Sequence, residues 1–363
     1  MNNRAAWLDK KQTRLEVREA PYTKPKDNQI VVRNYAISIN PLDWILQQTG
    51  NSLFRWIKLP FVLGADTAGE VVEIGKSVKR FKIGDRVMGH AVGSDKDCNT
   101  SAEGTFQIYS VLLENMSSPI PVNMSYEEAA VLPLALSTAA CGLFQKDYLA
   151  LNYPGFNIKP TGKTVLIWGG STSVGSNAIQ LAVAAGYEVI TTCSAKNFNY
   201  VKSLGASQAF DYHSKTVVRD LISAFKNKQL AGALAIGKGS SDLCLDVVHK
   251  CNGDKFISTF STPVTFENGV KPHLLVKMGA TMASFQIKSR SRKIKTKGVF
   301  GSSLKLNEVS KAIYEDFMPR ALKEGTYKIA PEPQIIGKGL EQITKGLDIQ
   351  RKGVSAKKIV ISL

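Results

Sequence analysis

The spacing of apolar positions changes character partway along the chain. Residues 4–8, 15–18 and 29–37 are short apolar runs that read as strands, with the proline- and lysine-rich residues 21–28 as a turn between two of them. Asn40-Pro-Leu-Asp43 then opens a helix or turn, with Pro41 at a first-turn position. Residues 61–73, 84–89 and 104–111 are β-branched runs interrupted by glycines, the pattern a small, tightly curved barrel uses at bulges and corners. The texture turns helical at Ser125-Tyr-Glu-Glu128, a capping-box signature. The alanine-rich residues 129–144 follow, interrupted at Pro133, and mark the passage into a second domain.

That domain is organised around residues 163–212. Thr164-Val-Leu-Ile-Trp168 suits a buried strand, and Gly169-Gly-Ser-Thr-Ser-Val-Gly175 follows it. Residues 176–185 carry a helical pattern closed by Gly186, and residues 188–192 form a second buried-type strand. Strand, glycine-rich turn, helix and strand in this order make the βαβ unit of a Rossmann fold. Gly170 is expected to permit the tight turn and Gly175 the close approach of helix to strand. Ser171, Thr172, Ser173 and Val174 complete a loop whose helix N-terminus offers N–H groups to a pyrophosphate. The middle position of the G-x-G-x-x-G frame is Thr172, so the fingerprint is incomplete, and a purely structural glycine-rich turn is the competing reading.

Cofactor choice is read at the end of the second strand. An acid there binds the adenosine ribose hydroxyls of NAD. This chain has Cys193-Ser194-Ala195-Lys196 instead. Ser194 supplies a hydroxyl and Lys196 a point charge for a 2′-phosphate, and Tyr212 is placed to pack beside the adenine. The expected cofactor is NADPH.

Beyond Tyr212, residues 215–226 read as an amphipathic helix, residues 242–248 and 279–285 as buried strands, and residues 298–301 as a further strand. Such alternation predicts an α/β domain with a doubly wound parallel sheet. Asn307 caps an expected helix over 308–323, residues 337–345 form a second short helix, and residues 358–363 a last strand.

With 363 residues, 44% apolar and 21% charged, the chain is long enough for two domains with sizeable cores. No run approaches a membrane span, and residues 1–7 contain no apolar signal segment. Cys98, Cys141, Cys193, Cys244 and Cys251 form no C-x-x-C pair, which suits free thiols in a reducing compartment, so a cytoplasmic location is expected. The formal charge is +17, and residues 288–297 hold six basic side chains in ten positions. That run lacks interleaved aromatics, so it reads as a solvated loop rather than a nucleic-acid contact, adding to a field that attracts an anionic cofactor. No nucleic-acid or membrane partner is expected, only a small-molecule substrate, with the chain as monomer or homodimer.

The motifs Asn40-Pro-Leu-Asp43, Gly64-Ala-Asp-Thr-Ala-Gly-Glu-Val71, Val78-Lys-Arg-Phe-Lys-Ile-Gly-Asp-Arg-Val87, Ala129-Ala-Val-Leu-Pro133, Gly170 to Gly175, Gly339-Leu-Glu-Gln-Ile343 and Gly353-Val-Ser-Ala-Lys-Lys358 occur in the order found in one family. Over nearly its whole length the chain resembles the medium-chain dehydrogenase/reductase superfamily. Within it, the zinc-free quinone oxidoreductase and enoyl reductase branch is most similar, including fungal enoyl-reductase-like and aldehyde-reductase-like members. The resemblance implies a GroES-like barrel catalytic domain built from residues 1–125 and 305–363, with a Rossmann NADP-binding domain at 126–304 and an active site in the cleft. Zinc alcohol dehydrogenases of the superfamily place Cys, His and Cys where this chain has Asn40, Ala65 and Leu134, so the resemblance implies no metal. His90 and Asp66 are too few to replace those ligands, and His90 reads as a satisfied polar residue. Asn40, Asp43 and Thr138 align with positions that line the nicotinamide end in relatives. Many fungal relatives carry Lys after the Asp-Trp pair, whereas Asp43-Trp44 here precedes Ile45.

Without a Lewis acid, hydride transfer relies on positioning, which favours electron-poor acceptors such as quinones, enones and enals. An NADPH-dependent aldehyde reductase on the same scaffold and a catalytically idle nucleotide-binding protein are the alternatives.

Overall fold

The N-terminal apolar runs form β1 (Asn3–Leu8), β2 (Glu16–Ala20) and β3 (Gln29–Ser38). The structure, a computed structural model, describes residues 1–260, 264–267 and 269–363. It divides into two units: residues 1–134, 266–270 and 304–363, and residues 135–265 and 271–303. The first unit thus continues past the expected boundary at 125, through α2 (Tyr126–Ala129), which follows α1 (Pro41–Thr49) in chain order. The Ser125–Glu128 capping box is formed, with the Glu128 N–H donating to Ser125 Oγ and the Ser125 N–H to the Glu128 carboxylate.

After β3 come β4 (Phe61–Val62), β5 (Asp66–Ile74), β6 (Arg86–His90), β7 (Tyr109–Leu113) and β8 (Ser117–Pro119). One face of β3 presents Ile30 and Val32 to Val71, Phe81, Val87 and Leu112. Ile37 joins a larger core with Leu8, Phe61, Leu63 and Phe106. The β3–β5 register shifts near Asn34, where a Cβ on Gly69 would lie 2.0 Å from the Arg33 carbonyl oxygen. Gly69 therefore serves the close approach of two strands at a bulge.

The second unit is a parallel sheet of β9 (Lys163–Trp168), β10 (Glu188–Cys193), β11 (Gln208–Asp211), β12 (Gln229–Ala235), β13 (Asn252–Gly253), β14 (Phe256–Thr259) and β15 (Lys295–Gly298). Its order is β11-β10-β9-β12-β14-β15, with β13 beside β12, and every pairing is parallel. In chain order its helices are α3 (Pro133–Phe144, begun in the first unit), α4 (Ser173–Ala184), α5 (Phe198–Ser203), α6 (Val217–Ala224), α7 (Ser240–Lys250) and α8 (Pro272–Ser291). The parallel sheet with its intervening helices is the α/β arrangement expected of the second domain.

Several local expectations fail. Residues 242–248 belong to α7, not a strand: Cys244, Val247 and Val248 are buried at helical spacing. Asp242 and Asp246, four apart, bond Lys288 on α8 at 2.9 Å and Arg292, the residue that ends it, at 2.6 Å. The buried strand is β12, whose Ala- and Gly-rich sequence gave no strand signal. Residues 279–285 lie within α8, and the basic run 288–297 is the end of that helix and the edge strand β15 rather than a loop. The expected strand at 298–301 is displaced to that same β15. The stretch Tyr126–Phe144 has the length and apolarity of a membrane span, contrary to expectation, but 78% of its most apolar window is buried within the fold.

The chain returns to the first unit through Val309–Lys311, a π-turn at Ala312–Phe317 and Met318–Lys323. Of residues 337–345, read as a helix, 337–338 end β16 (Glu332–Lys338), 340–342 form a 3-10 turn and 343–345 begin the helix, which runs Ile343–Lys352. The last strand is β17 (Lys357–Ser362), and the sheet order is β16-β17-β3-β5-β6-β8, with β7 also beside β3 and a smaller sheet β2-β1-β4.

Candidate functional site

In the second unit the turn after β9 is held by a few short contacts. The left-handed residue is Gly169 (φ 89°), not Gly170, which corrects the expected site of the tight turn. Gly170 is needed for space, because a Cβ there would lie 2.2 Å from Thr191 Oγ1. A Cβ on Gly175 would lie 2.2 Å from the Gly169 oxygen, so this glycine brings α4 onto the turn as anticipated. Thr172 is no defect in the fingerprint. Its hydroxyl accepts from the Gly175 N–H at 3.0 Å and donates to the Gly169 oxygen at 2.8 Å, which makes it the N-cap of α4. The helix therefore starts at Ser173, three residues earlier than its apolar pattern suggested. Ser171, Ser173 and Val174 sit at its positive end, the geometry that favours a pyrophosphate.

At the end of β10, Ser194 Oγ donates to Tyr212 OH at 3.2 Å, and Lys196 stands exposed in the next turn. The fold thus brings Ser194 and Tyr212 into contact. The fold adds an acid that β10 alone did not reveal, because Asp211 pairs in register with Cys193. Its carboxylate accepts from the His213 N–H and lies 3.0 Å from His213 Nδ1, contacts that hold it below the usual carboxylate range. The His213 ring packs on Tyr212 with centroids 4.1 Å apart. Thr138, on α3, is half-buried, and a Cβ on Gly301 would lie 2.5 Å from its hydroxyl.

In the first unit a buried polar cluster forms where β3, β5, α1 and β17 meet. Asn40 N-caps α1, and its backbone N–H donates to the Asp43 carboxylate at 2.7 Å. Asp66 is fully buried: Oδ2 accepts from Ser38 Oγ at 2.7 Å, Asn40 Nδ2 at 2.8 Å and the Lys358 ammonium at 2.9 Å, and Oδ1 accepts from the Leu134 N–H at 2.6 Å. Burial pushes the Asp66 carboxyl up, but Lys358, Asn40 and Leu134 outweigh it and leave the group below its ordinary value. Asp43 has no such cation in direct contact. Burial drives its carboxyl up to about 7, against the Asn40 and Gly64 N–H groups. Lys358 was absent from the sequence-based candidates, since no local pattern distinguishes a lysine at the start of a strand from a solvated one.

His90 lies opposite Asp66 on β6 and is only 4% exposed. It is not satisfied as expected: Nδ1 has no hydrogen-bond partner, and burial lowers the imidazole to about 4. The residues here do not suit a metal. Both Asp66 oxygens are taken, Ala65 offers no donor, and no three His, Cys, Asp or Glu side chains group as ligands among the described residues.

The turn after β9 does suit a dinucleotide: Gly170 and Gly175 let α4 close onto the strand, and the N-terminus of α4 is presented at the turn. Residues 26–132 match the alcohol dehydrogenase GroES-like domain. The chain is 51% identical to the dehydrogenase pigH of Monascus ruber, with 99% of each chain covered. It is 35% identical to the trans-enoyl reductase himH of Aspergillus japonicus, covering 99% of this chain and 97% of that one. Among solved structures, Escherichia coli quinone oxidoreductase complexed with NADPH superimposes with a TM-score of 0.69 at 20% identity, over 99% of this chain and 100% of that one.

Proposed function

This chain belongs to the medium-chain dehydrogenase/reductase superfamily and is an oxidoreductase, and we propose that it uses a nicotinamide cofactor as a zinc-independent, NADPH-dependent reductase of electron-poor acceptors: enones, enals or quinones. The observation that carries the reading is the commitment of Asp66 to Lys358, Asn40 and Leu134, which leaves hydrogen bonding rather than a Lewis acid to stabilise charge on the acceptor. An acceptor already activated by conjugation needs no more. When bound, NADPH supplies the hydride. The loop from Gly170 to Gly175 would hold the pyrophosphate, Ser194 and Lys196 would hold the adenosine 2′-phosphate, and Tyr212 would pack beside the adenine. Asn40 donates an N–H toward the acceptor oxygen, Thr138 lines the nicotinamide end, and Asp43 fixes Asn40 by accepting its backbone N–H.

An NADPH-oxidation screen over quinones, enones, enals and simple aldehydes tests this. An enal should yield the saturated aldehyde. An allylic alcohol would move the assignment to carbonyl reduction, and NADPH binding without turnover on any acceptor would leave an idle nucleotide-binding protein. Activity should persist after chelator treatment, and elemental analysis should find no stoichiometric zinc; one zinc per chain, with activity lost on its removal, overturns the zinc-independent reading.

Cofactor preference gives a separate test. A charge-assisted contact is worth roughly 1.5–3 kcal/mol, so NADPH should bind about ten- to a hundredfold more tightly than NADH. Lys196→Ala should weaken NADPH far more than NADH, and Ser194→Asp should narrow or reverse the preference. Equal losses for both cofactors in the lysine variant, measured by fluorescence titration, would remove Lys196 as the phosphate ligand.

A further inference from the structure

Lys358 takes no part in the roles assigned above, yet its position is costly. The residue is 2% exposed, and lysines are rarely buried without a partner. An ion pair this deep is often no more stable than apolar residues of the same volume, so stability alone accounts poorly for it. What the pair does settle is direction. The Lys358 ammonium donates to Asn40 Oδ1 at 2.5 Å, and Asn40 Nδ2 donates to Asp66 at 2.8 Å. The amide is held by a cation at its oxygen and an anion at its nitrogen. Turned over, it would set oxygen against carboxylate and NH2 against ammonium. The backbone is fixed as well, by the Asn40 N–H bond to Asp43 and by the Ile39 N–H bond to the Ile359 oxygen at 2.9 Å.

We infer that Lys358 is a positioning residue for Asn40: with Asp66 it locks the amide in one orientation, so that the Nδ2 hydrogen not given to Asp66 is the one offered to the acceptor. This rests on the reading of Asn40 as a hydrogen-bond donor at the reacting centre. Pre-aimed donors of this kind act by being fixed before charge develops, so freeing the amide should lower kcat with little change in KM.

Lys358→Met alone strands a buried carboxylate and endangers folding, so the test uses Asp66→Asn with Lys358→Met, which removes both charges together. The paired variant should melt within a few degrees of wild type and bind NADPH unchanged, with kcat down roughly ten- to a hundredfold. Asn40→Ala should show a similar fall, and adding it to the paired variant should lower kcat no further, because both changes remove one interaction. A normal kcat in the paired variant, with Asn40→Ala impaired, overturns the role of Lys358 alone. A normal kcat in Asn40→Ala overturns the role of Asn40 and that of Lys358 with it. A turnover-free readout stands beside these: the Asn40 side-chain amide should give one protected pair of NMR resonances in the wild type and exchange faster in the paired variant. Equal exchange in the two proteins counts against the lock whatever the rates show.

Discussion

Gly175→Ala should destabilise the nucleotide-binding unit by about 1–3 kcal/mol and weaken NADPH binding roughly tenfold or more. The added methyl group would lie 2.2 Å from the Gly169 oxygen and 2.7 Å from the Gly170 Cα, and backbone cannot move aside as a flexible side chain can. The only relief is to lift the first turn of α4 away from the strand. That displaces the N–H groups meant for the pyrophosphate and pulls the Gly175 N–H from the Thr172 hydroxyl, now 3.0 Å away. Gly279→Ala on α8 is the matching control. Nothing lies within 4 Å of its would-be Cβ, so the change should stabilise by about 0.5–1 kcal/mol through helix propensity. Urea midpoints and NADPH titration read both variants; a Gly175→Ala protein matching wild type in both would show that this contact is not tight.

Asp43 and His90 should pull stability in opposite directions with pH. The Asp43 carboxyl is raised to about 7 in the folded chain by burial and by Asp66 nearby. Its contribution is therefore fully present below the unfolded pKa, about 3.9, and is lost as pH rises through about 7. His90 is lowered to about 4 by burial, which outweighs Asp66 and Asp95. The folded chain keeps it neutral while the unfolded chain protonates it below about 6.5, so its contribution is present above that pH and fades toward about 4. The two windows overlap and partly cancel. Asp43→Asn should expose the His90 limb, giving a variant that gains stability from about pH 4 to about pH 7, by an amount of order 3 kcal/mol more than wild type. His90→Gln should expose the other limb and lose stability over the same range. Urea midpoints across that range, parallel in all three proteins, would mean that neither group titrates differently in the folded state.

The parts legible in the sequence are those where chemistry and spacing are local. The glycine turn and the Ser125 cap declare themselves within short stretches, and so does the start of α1 at Asn40 and Asp43. Residues 242–248 misled because their apolar content spoke for a strand, while the decisive signal was the spacing of Asp242 and Asp246 against basic residues on another helix. Thr172 looked like a missing glycine because the fingerprint does not weigh the capping chemistry of a threonine. The Asp66 cluster was hardest to foresee. Lys358 reaches Asn40 across 318 positions of sequence, and His90 meets Asp66 only through the register of β5 and β6. Asp211 beside Cys193 is the same kind of fact, since a strand's neighbour is fixed by topology and not by its own residues.

The strand that carries Lys358 comes after every strand of the second unit in chain order. All seven strands of the second unit lie between Lys163 and Gly298, so that sheet can close while the chain is still being made. The main sheet of the first unit is completed only later in the chain, because β3, already paired with β5 and β7, has a further neighbour, β17, at Lys357–Ser362. Until β17 has been made, the Ala36–Ser38 end of β3 lacks one neighbour and Asp66 lacks its counter-ion. Chains truncated before residue 357 should therefore retain a folded second unit attached to an aggregation-prone remainder.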